Sequence, residues 1–232
     1  PDSSRVVLAP ATELQYTMSG GGDRTVTLSG QAYFQVTHDP NRPFSVLARN
    51  TRTRILGTAL DVRAYADDEA VKVAVAEGKV RVEHKTGTVF APVVVTPGMI
   101  ATLTDSSPAT TGNHDVRAMS DWVNGRLVFS RVPVASMLRT LGRWSGYEFK
   151  LADSTLAAEP VTTSLTVGDP AETLRMLQDL LDVTLVKDGN VVILRPGRGR
   201  SIGAPSRAVP VKNRQQQVAQ KSISLSLPEA GR

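Results

Sequence analysis

Cysteine is absent from this 232-residue chain, and aromatic residues make up only 5% of it. Without cysteine the chain cannot form a disulfide scaffold, a thiolate metal site or a cysteine nucleophile. The absence is compatible with both an oxidising and a reducing compartment. The chain also lacks the run of about 20 apolar residues that a membrane-spanning helix needs. No signal-peptide pattern is present, so a targeting segment is absent or was removed, and we expect a fragment of a longer protein.

The net charge of +5 suggests a polyanionic partner, but its distribution argues against nucleic acid. Seven basic residues and one acidic residue lie from Gly197 onward, which makes this tail +6 and leaves the rest of the chain at −1. A near-neutral body with few aromatic residues lacks the basic, aromatic-lined surface that binds nucleic acid. We therefore predict no nucleic-acid partner.

Apolar and polar residues alternate with period two up to about Leu103, which predicts strands. Short strands separated by glycine or proline, without a helical window, are typical of a β-sandwich or β-roll. We predict an all-β domain over residues 1–104 with a hairpin at Glu77-Gly78. The following residues, 105–119, have little apolar content and are predicted to form a linker.

Strands alternate with amphipathic helices over residues 120–196. A shift of 36 residues superimposes two strand–helix–strand segments. The shift matches two sets of five apolar or aromatic residues in order: the first is Phe129, Leu138, Leu141, Tyr147 and Phe149, and the second is Leu165, Leu174, Leu177, Val183 and Leu185. This pattern predicts a small α+β domain built from a duplicated β-α-β unit, with Asp169 capping the second helix and a final hairpin at Asp188-Gly189. The predicted fold class is therefore mainly β plus α+β.

The tail, residues 197–232, is rich in glycine, proline, arginine and glutamine, and we predict that it is disordered. Its end, SISLSLPEA, alternates Ile223, Leu225 and Leu227 with serine. An alternative interpretation is therefore a strand that pairs with an open edge of the second domain.

Catalytic and metal-binding motifs are absent. His38, His84 and His114 lie in separate contexts without ligand spacing, and ADDEA at residues 66–70 lacks the spacing and central glycine of a calcium loop. We predict no metal site, no cofactor and no activity on a separate substrate.

Two tryptophans allow two interpretations. An exposed indole could stack on a sugar ring, as in carbohydrate-binding proteins. Trp122 precedes the first strand of the second domain and Trp144 ends its first helix, where an indole usually closes a small core. We favour core packing for both.

The ordered set of motifs resembles the FecR-type sigma regulators of Gram-negative bacteria, also called anti-sigma factors of cell-surface signalling. The first domain carries LSGQAYFQV, RPFSV, GTALDV, VKVAVAEGKVRV and TPGMIATL in the family's order, and the second carries WVNGRLVFSRVPVASMLRTLGRWSGYEF. The resemblance extends from about Val26 to Leu194. It departs from the family at Leu60, where phenylalanine is usual, and in the basic tail.

This resemblance implies a location and a set of partners. In that family a cytoplasmic domain binds the sigma factor, one helix crosses the inner membrane, and the part similar to this chain lies in the periplasm. The C-terminal part resembles the short domain of secretins and TonB-dependent receptors, and it meets the signalling domain of an outer-membrane siderophore transducer. The expected partners are therefore that signalling domain, a sigma factor through a missing cytoplasmic domain, and the membrane through a missing N-terminal span.

The Gly57-Thr58 pair interrupts the alternating stretch TRTRILGTALDVRAY, and two interpretations stay open. Some members of the family cut themselves at this pair: the threonine hydroxyl attacks the preceding carbonyl, the amide becomes an ester, and water releases two fragments that stay associated. Gly57 and Thr58 match that pair residue for residue. Alternatively, Gly57 marks a β-bulge and Thr58 is present for its strand propensity.

Strand edges of the second domain are predicted to receive a strand of the receptor, because a small sheet with two helices leaves edges unpaired. The candidate residues are Leu127, Val128 and Phe129 on one strand, or Val191, Val192 and Ile193 on another. The alternative function is an extracytoplasmic FecR-like binding module, one that could recognise carbohydrate, without a sigma-factor role.

Overall fold

The structure, a computed structural model, describes residues 3–18, 24–85, 90–113, 115–197 and 222–224. Two compact units divide the chain: an N-terminal unit that ends at Val123 and includes the segment from Ala219, and a C-terminal unit that begins at Asn124. The N-terminal unit is almost entirely β, and the C-terminal unit combines strands with helices. The predicted fold class is therefore confirmed.

Within the described residues the strands, in chain order, are β1 (Arg5–Leu8), β2 (Glu13–Met18), β3 (Arg24–Val36), β4 (Phe44–Ala48), β5 (Thr51–Ile55), β6 (Thr58–Ala64), β7 (Val71–Glu77), β8 (Val80–His84), β9 (Val93–Val95), β10 (Met99–Leu103), β11 (Thr110–Asn113), β12 (Arg126–Pro133), β13 (Glu148–Leu151), β14 (Pro160–Thr166), β15 (Val183–Asp188), β16 (Val191–Pro196) and β17 (Ser222–Ser224). The α-helices are α1 (Val116–Ser120), α2 (Val134–Ser145) and α3 (Pro170–Leu181), with 3₁₀ turns at Asp121–Asn124 and Ser154–Ala158. None of these helices is long and apolar enough to cross a membrane.

Two sets of paired strands share β3 in the N-terminal unit. One has the order β17-β1-β3-β6-β7-β10-β11, and the other has the order β2-β3-β4-β5-β8-β9. β3 joins them because it bends at Gly30, whose φ of +120° favours glycine and whose missing side chain leaves room for Thr12. Phe34 of β3 and Phe44 of β4 are fully buried and meet edge to face in the core.

A second connection between the two sets of strands lies where β5 continues into β6 and β7 continues into β8. β5 pairs with β8, and β6 pairs with β7. The connection from β5 to β6 turns at Leu56-Gly57, and the connection from β7 to β8 turns at Gly78-Lys79. The predicted hairpin at Glu77-Gly78 is therefore wrong, because β7 and β8 pair with different strands. The alternating stretch around Gly57 is likewise two strands and not one.

The segment predicted as a linker, residues 105–119, contains regular structure. β11 pairs with β10, and α1 packs against β7. The N-terminal unit therefore continues to Val123 and does not end near residue 104. The low apolar content of this segment is compatible with a strand because β11 is held by backbone hydrogen bonds at a sheet edge.

The C-terminal unit follows the predicted duplicated order, β12-α2-β13 and then β14-α3-β15, with β16 last. α3 begins as expected: Asp169 accepts a hydrogen bond from the backbone N–H of Ala171 at 2.8 Å, and Pro170 is the first helical residue. β15 and β16 form the predicted hairpin, with Gly189 at φ +58° in its turn.

Strand order in this unit changes one prediction. β12 pairs with β14, whereas β16 lies between β13 and β15 in a three-stranded sheet. Val191, Val192 and Ile193 therefore have paired strands on both sides and do not offer a free edge, contrary to the edge prediction. Leu127, Val128 and Phe129 of β12 keep one side unpaired among the described strands.

The described part of the tail also differs from its prediction. Ser222–Ser224 forms β17, which pairs antiparallel with β1 of the N-terminal unit, with Ile223 opposite Val6. The strand interpretation of the tail was therefore right for these residues, but the edge that they occupy belongs to the first domain and not to the second. Leu225 and Leu227 lie outside the described residues.

Candidate functional site

Gly57 and Thr58 lie at the corner between β5 and β6. Gly57 has a φ of +118°, a conformation that favours glycine, and the preceding Leu56 is half exposed. Thr58 is the first residue of β6 and is buried. The bulge interpretation is wrong for Gly57 itself, because the register shift of the β6–β7 pair falls between Ala59 and Leu60.

Two residues enclose the Gly57-Thr58 peptide, and with it they form what we call the corner site. On one side is His38, since a Cβ on Gly57 would lie 2.6 Å from His38 Cβ and 2.8 Å from His38 Cα. On the other side is Gly78, where a Cβ would lie 2.6 Å from the carbonyl oxygen of Gly57 and 3.2 Å from Thr58 Oγ1. Both glycines are therefore needed for the backbones to approach this closely.

Hydrogen bonds orient the two ends of the corner site. The ring Nδ1 of His38 is hydrogen-bonded to the carbonyl oxygen of Leu56. The hydroxyl of Thr58 donates to the carbonyl oxygen of Lys79 at 3.4 Å. The Gly57 carbonyl oxygen and the Thr58 hydroxyl both lie against Gly78, and a carbonyl followed by a hydroxyl side chain is the pair of groups that an N-to-O acyl shift uses.

Sequence reasoning did not connect His38 with this site, because the histidine belongs to no motif. The connection comes from strand pairing: Val36 lies opposite Thr58 in the β3–β6 ladder, so the residues just after β3 reach the residue just before β6. The other histidines are elsewhere: the ring of His84 packs 5.2 Å from that of Phe90, and His114 lies outside the described residues. No group of three or more histidine or acidic side chains in the described parts of the chain could hold a metal ion.

A buried carboxylate lies further along β6. Asp61 is 1% exposed. Its Oδ1 accepts a hydrogen bond from Gln31 Nε2 at 2.9 Å, and its Oδ2 accepts one from Trp122 Nε1 at 2.6 Å. Gln31 Nε2 also donates to the carbonyl oxygen of Met119 at 3.4 Å. These contacts attach residues 116–123, the exit segment that leads to the C-terminal unit, to the strands of the N-terminal unit.

Trp122 was expected to close the core of the second domain, but its indole is buried in the N-terminal unit. Burial raises the pKa of Asp61 to about 7 from an ordinary value of 3.8, while the hydrogen bonds from Gln31 and Trp122 and the charge of Arg63 act in the opposite direction. The carboxyl group beneath the exit segment therefore titrates near neutral pH.

The partner-binding candidates of the C-terminal unit differ in exposure. Leu127 and Phe129 are buried, Val128 is half-buried, and Val192 is fully buried. Trp144 lines a shallow cleft together with Leu127, Leu141, Asp169 and Thr173. Trp144 is half-buried, whereas Leu138 and Leu141 of the same helix are buried, so the packing role expected of Trp144 stays a prediction.

Comparisons with known proteins agree with this architecture. Residues 1–81 match the family described as FecR protein, whereas no curated protein sequence matches the chain. Two crystal structures, at 1.65 Å and 2.50 Å resolution, of a "putative anti-sigma factor" from Parabacteroides distasonis ATCC 8503 are similar to it. Each has 24% sequence identity and a TM-score of 0.75, and the match covers 84% of this chain and 92% or 91% of the other. By these comparisons, residues 1–81 are similar to the FecR family, and the chain shares its fold with that bacterial protein.

Proposed function

We propose that this chain is the periplasmic part of a transmembrane sigma regulator, an anti-sigma factor that receives its signal from a TonB-dependent outer-membrane siderophore transducer. The FecR match over residues 1–81 is the observation that carries the proposal, and the fold shared with the Parabacteroides protein supports it. The rest of the full protein would supply a span of the inner membrane and a cytoplasmic domain that holds an extracytoplasmic-function sigma factor. Transducer occupancy would thereby control transcription of iron-uptake genes.

The receptor's signalling domain binds the C-terminal unit at the outer side of β12, by adding a strand. β12 pairs only with β14 among the described strands, and β16 has neighbours on both sides. The backbone N–H of Val167 donates to the carbonyl oxygen of Gly125, so the alternating antiparallel ladder directs the N–H of Val128 away from β14. That N–H is available to an incoming strand.

Replacing Val128 by proline should weaken binding of the signalling domain at least about tenfold, because proline removes the outward donor. Val128→Thr is the matched control, since threonine keeps the N–H and the branched shape. The measurement is calorimetric titration of the purified chain with the N-terminal signalling domain of a TonB-dependent receptor from the same organism. Circular dichroism checks that both variants fold.

The outcomes of this titration separate two claims. Absence of binding by the wild-type chain would contradict the receptor relay. Wild-type affinity in a folded Val128→Pro variant would contradict only the assignment to β12, and would move the site to β13, β14 or β15.

Self-cleavage at Gly57-Thr58 is the second part of the proposed function. The corner site supports it, because the hydroxyl of Thr58 and the carbonyl of Gly57 share the space that the missing side chain of Gly78 leaves open. Thr58→Ala should leave the chain intact, whereas Thr58→Ser, which keeps the hydroxyl, should still be cut. Gly57→Val should block cutting, because its side chain would overlap the backbone of His38.

Intact-mass measurement of the purified protein over several days at neutral pH tests this prediction. We expect fragments 1–57 and 58–232 that co-elute on size exclusion. A wild-type chain that stays at full length, or a Thr58→Ala variant that is cut as fast as wild type, would rule out this chemistry.

A further inference from the structure

We infer that His38 is the positioning residue of the cleavage reaction and that Gly78 provides the space in which it takes place. This inference rests on the proposed self-cleavage and adds to it two residues that the Gly-Thr pair does not contain. Both lie far from Gly57 in sequence and reach it through strand pairing. They approach the Gly57-Thr58 peptide from opposite sides.

His38 contacts the residue that supplies the carbonyl to be attacked. Its Cα and Cβ lie so close to Gly57 that a side chain at position 57 would overlap them. Its ring Nδ1 is hydrogen-bonded to the carbonyl oxygen of Leu56. A carbonyl oxygen only accepts, so Nδ1 carries the proton and donates it. The ring therefore holds the peptide group that immediately precedes Gly57.

Gly78 faces the reacting atoms. The Cβ that it lacks would lie 2.6 Å from the carbonyl oxygen of Gly57 and 3.2 Å from Thr58 Oγ1. The first of these atoms gains negative charge during attack, and the second is the nucleophile. The absence of a side chain at Gly78 thus lets the carbonyl oxygen and the hydroxyl lie together against its backbone while Thr58 stays buried.

The reaction balances without an external reagent other than water. Thr58 Oγ bonds to the carbonyl carbon of Gly57, the bond from that carbon to the Thr58 nitrogen breaks, and the hydroxyl proton ends on the nitrogen. The amide thereby becomes an ester and a free amine. Water then adds across the ester, which leaves a carboxylate on Gly57 and restores the Thr58 hydroxyl. His38 acts on the first step, because it limits rotation at Gly57 and so keeps the carbonyl within reach of the hydroxyl.

Two substitutions of His38 distinguish positioning from simple packing. Asparagine carries an N–H donor at the same side-chain position as Nδ1, and leucine has a similar bulk without a donor. We expect His38→Leu to slow cleavage about fivefold to tenfold, the effect in rate of losing one net hydrogen bond. His38→Asn should cut within about twofold of wild type.

Hydroxylamine makes the first step visible. It attacks the ester rapidly and leaves a hydroxamate on Gly57, so in its presence the rate of fragment formation reports the acyl shift and not ester hydrolysis. Rates are measured by mass spectrometry for wild type, His38→Leu, His38→Asn and Thr58→Ala, with thermal unfolding midpoints as the folding check. The slowing by leucine and the rescue by asparagine should both persist in hydroxylamine.

Three results would overturn the inference about His38 while leaving self-cleavage in place. These are wild-type rates in His38→Leu, equal slowing by leucine and asparagine in equally stable variants, and slowing that disappears in hydroxylamine. A wild-type chain that is never cut, with or without hydroxylamine, would instead remove the proposed self-cleavage and the role of His38 together.

Discussion

Replacement of Trp122 by alanine is expected to lower the free energy of unfolding of the N-terminal unit by about 4 kcal/mol or more. The indole is 4% exposed, so its removal leaves a cavity. The substitution also removes the N–H that Asp61 Oδ2 accepts at 2.6 Å, and a buried acceptor without its donor costs about 1–3 kcal/mol. With its anchor gone, the exit segment should open locally, so trypsin should cut after Arg117 faster than in wild type.

Trp122→Phe is the matched variant, because phenylalanine keeps one aromatic ring but loses the donor and the second ring of the indole. We expect it to cost at least about 1–3 kcal/mol from the unpaired acceptor, and less than the alanine variant. The chain has two tryptophans, one in each unit, so Trp144 fluorescence follows the C-terminal unit while circular dichroism follows the whole chain. An alanine variant as stable as the phenylalanine variant would mean that the ring kept by phenylalanine contributes nothing to stability.

The free energy of unfolding of the N-terminal unit is expected to contain a pH-dependent contribution of about 4 kcal/mol from Asp61. Burial raises the pKa of this group to about 7 in the folded protein, from 3.8 in the unfolded chain. Between these values the folded state binds more protons than the unfolded state, so stability falls as pH rises, at up to about 1.4 kcal/mol per pH unit. The contribution is complete below about pH 4 and is lost as pH passes through 7.

Asp61→Asn isolates this effect from other titrating groups. Tyr33, opposite Asp61 in the β3–β6 ladder, has a pKa raised by burial and then by the charges of Glu77 and Asp61, so it stays neutral over this range. Urea unfolding is followed through Trp122 in a Trp144→Phe background, with and without Asp61→Asn. The free energy of unfolding of the protein with Asp61, minus that of the Asp61→Asn protein, should fall by about 4 kcal/mol from pH 4 to pH 8. A value that does not change with pH would contradict the raised pKa.

The predicted change from an all-β first part to a second part with strands and helices was correct, because both secondary-structure types are marked by local sequence patterns. Period-two alternation marks the strands of the N-terminal unit, and Asp169 with Pro170 marks the start of α3. Glycine turns were harder to interpret. Gly78 looks like a hairpin residue, but a positive φ serves equally well where a chain passes from one sheet to another. Only the partners of β7 and β8 distinguish these cases, and those partners are distant in sequence.

Burial of Asp61 could not be predicted for a related reason. Alternation places Asp61 on the face of β6 opposite to Leu60 and Val62, which suggests solvent. The exit segment covers that face, and its position depends on contacts between residues about sixty positions apart. The central position of β16 was missed because its parallel pairing with β13 leaves no local turn signal.

The corner between β5 and β6 has a mechanical consequence. A cut after Gly57 would leave β3 and β5 on one fragment and β6 and β8 on the other, yet β3 pairs with β6 and β5 pairs with β8. The two fragments would thus be interleaved, with strands of each on both sides of the core. Pulling them apart would require rupture of both ladders, so the cut chain could transmit tension and then release it abruptly at a threshold force, without ever restoring the covalent bond.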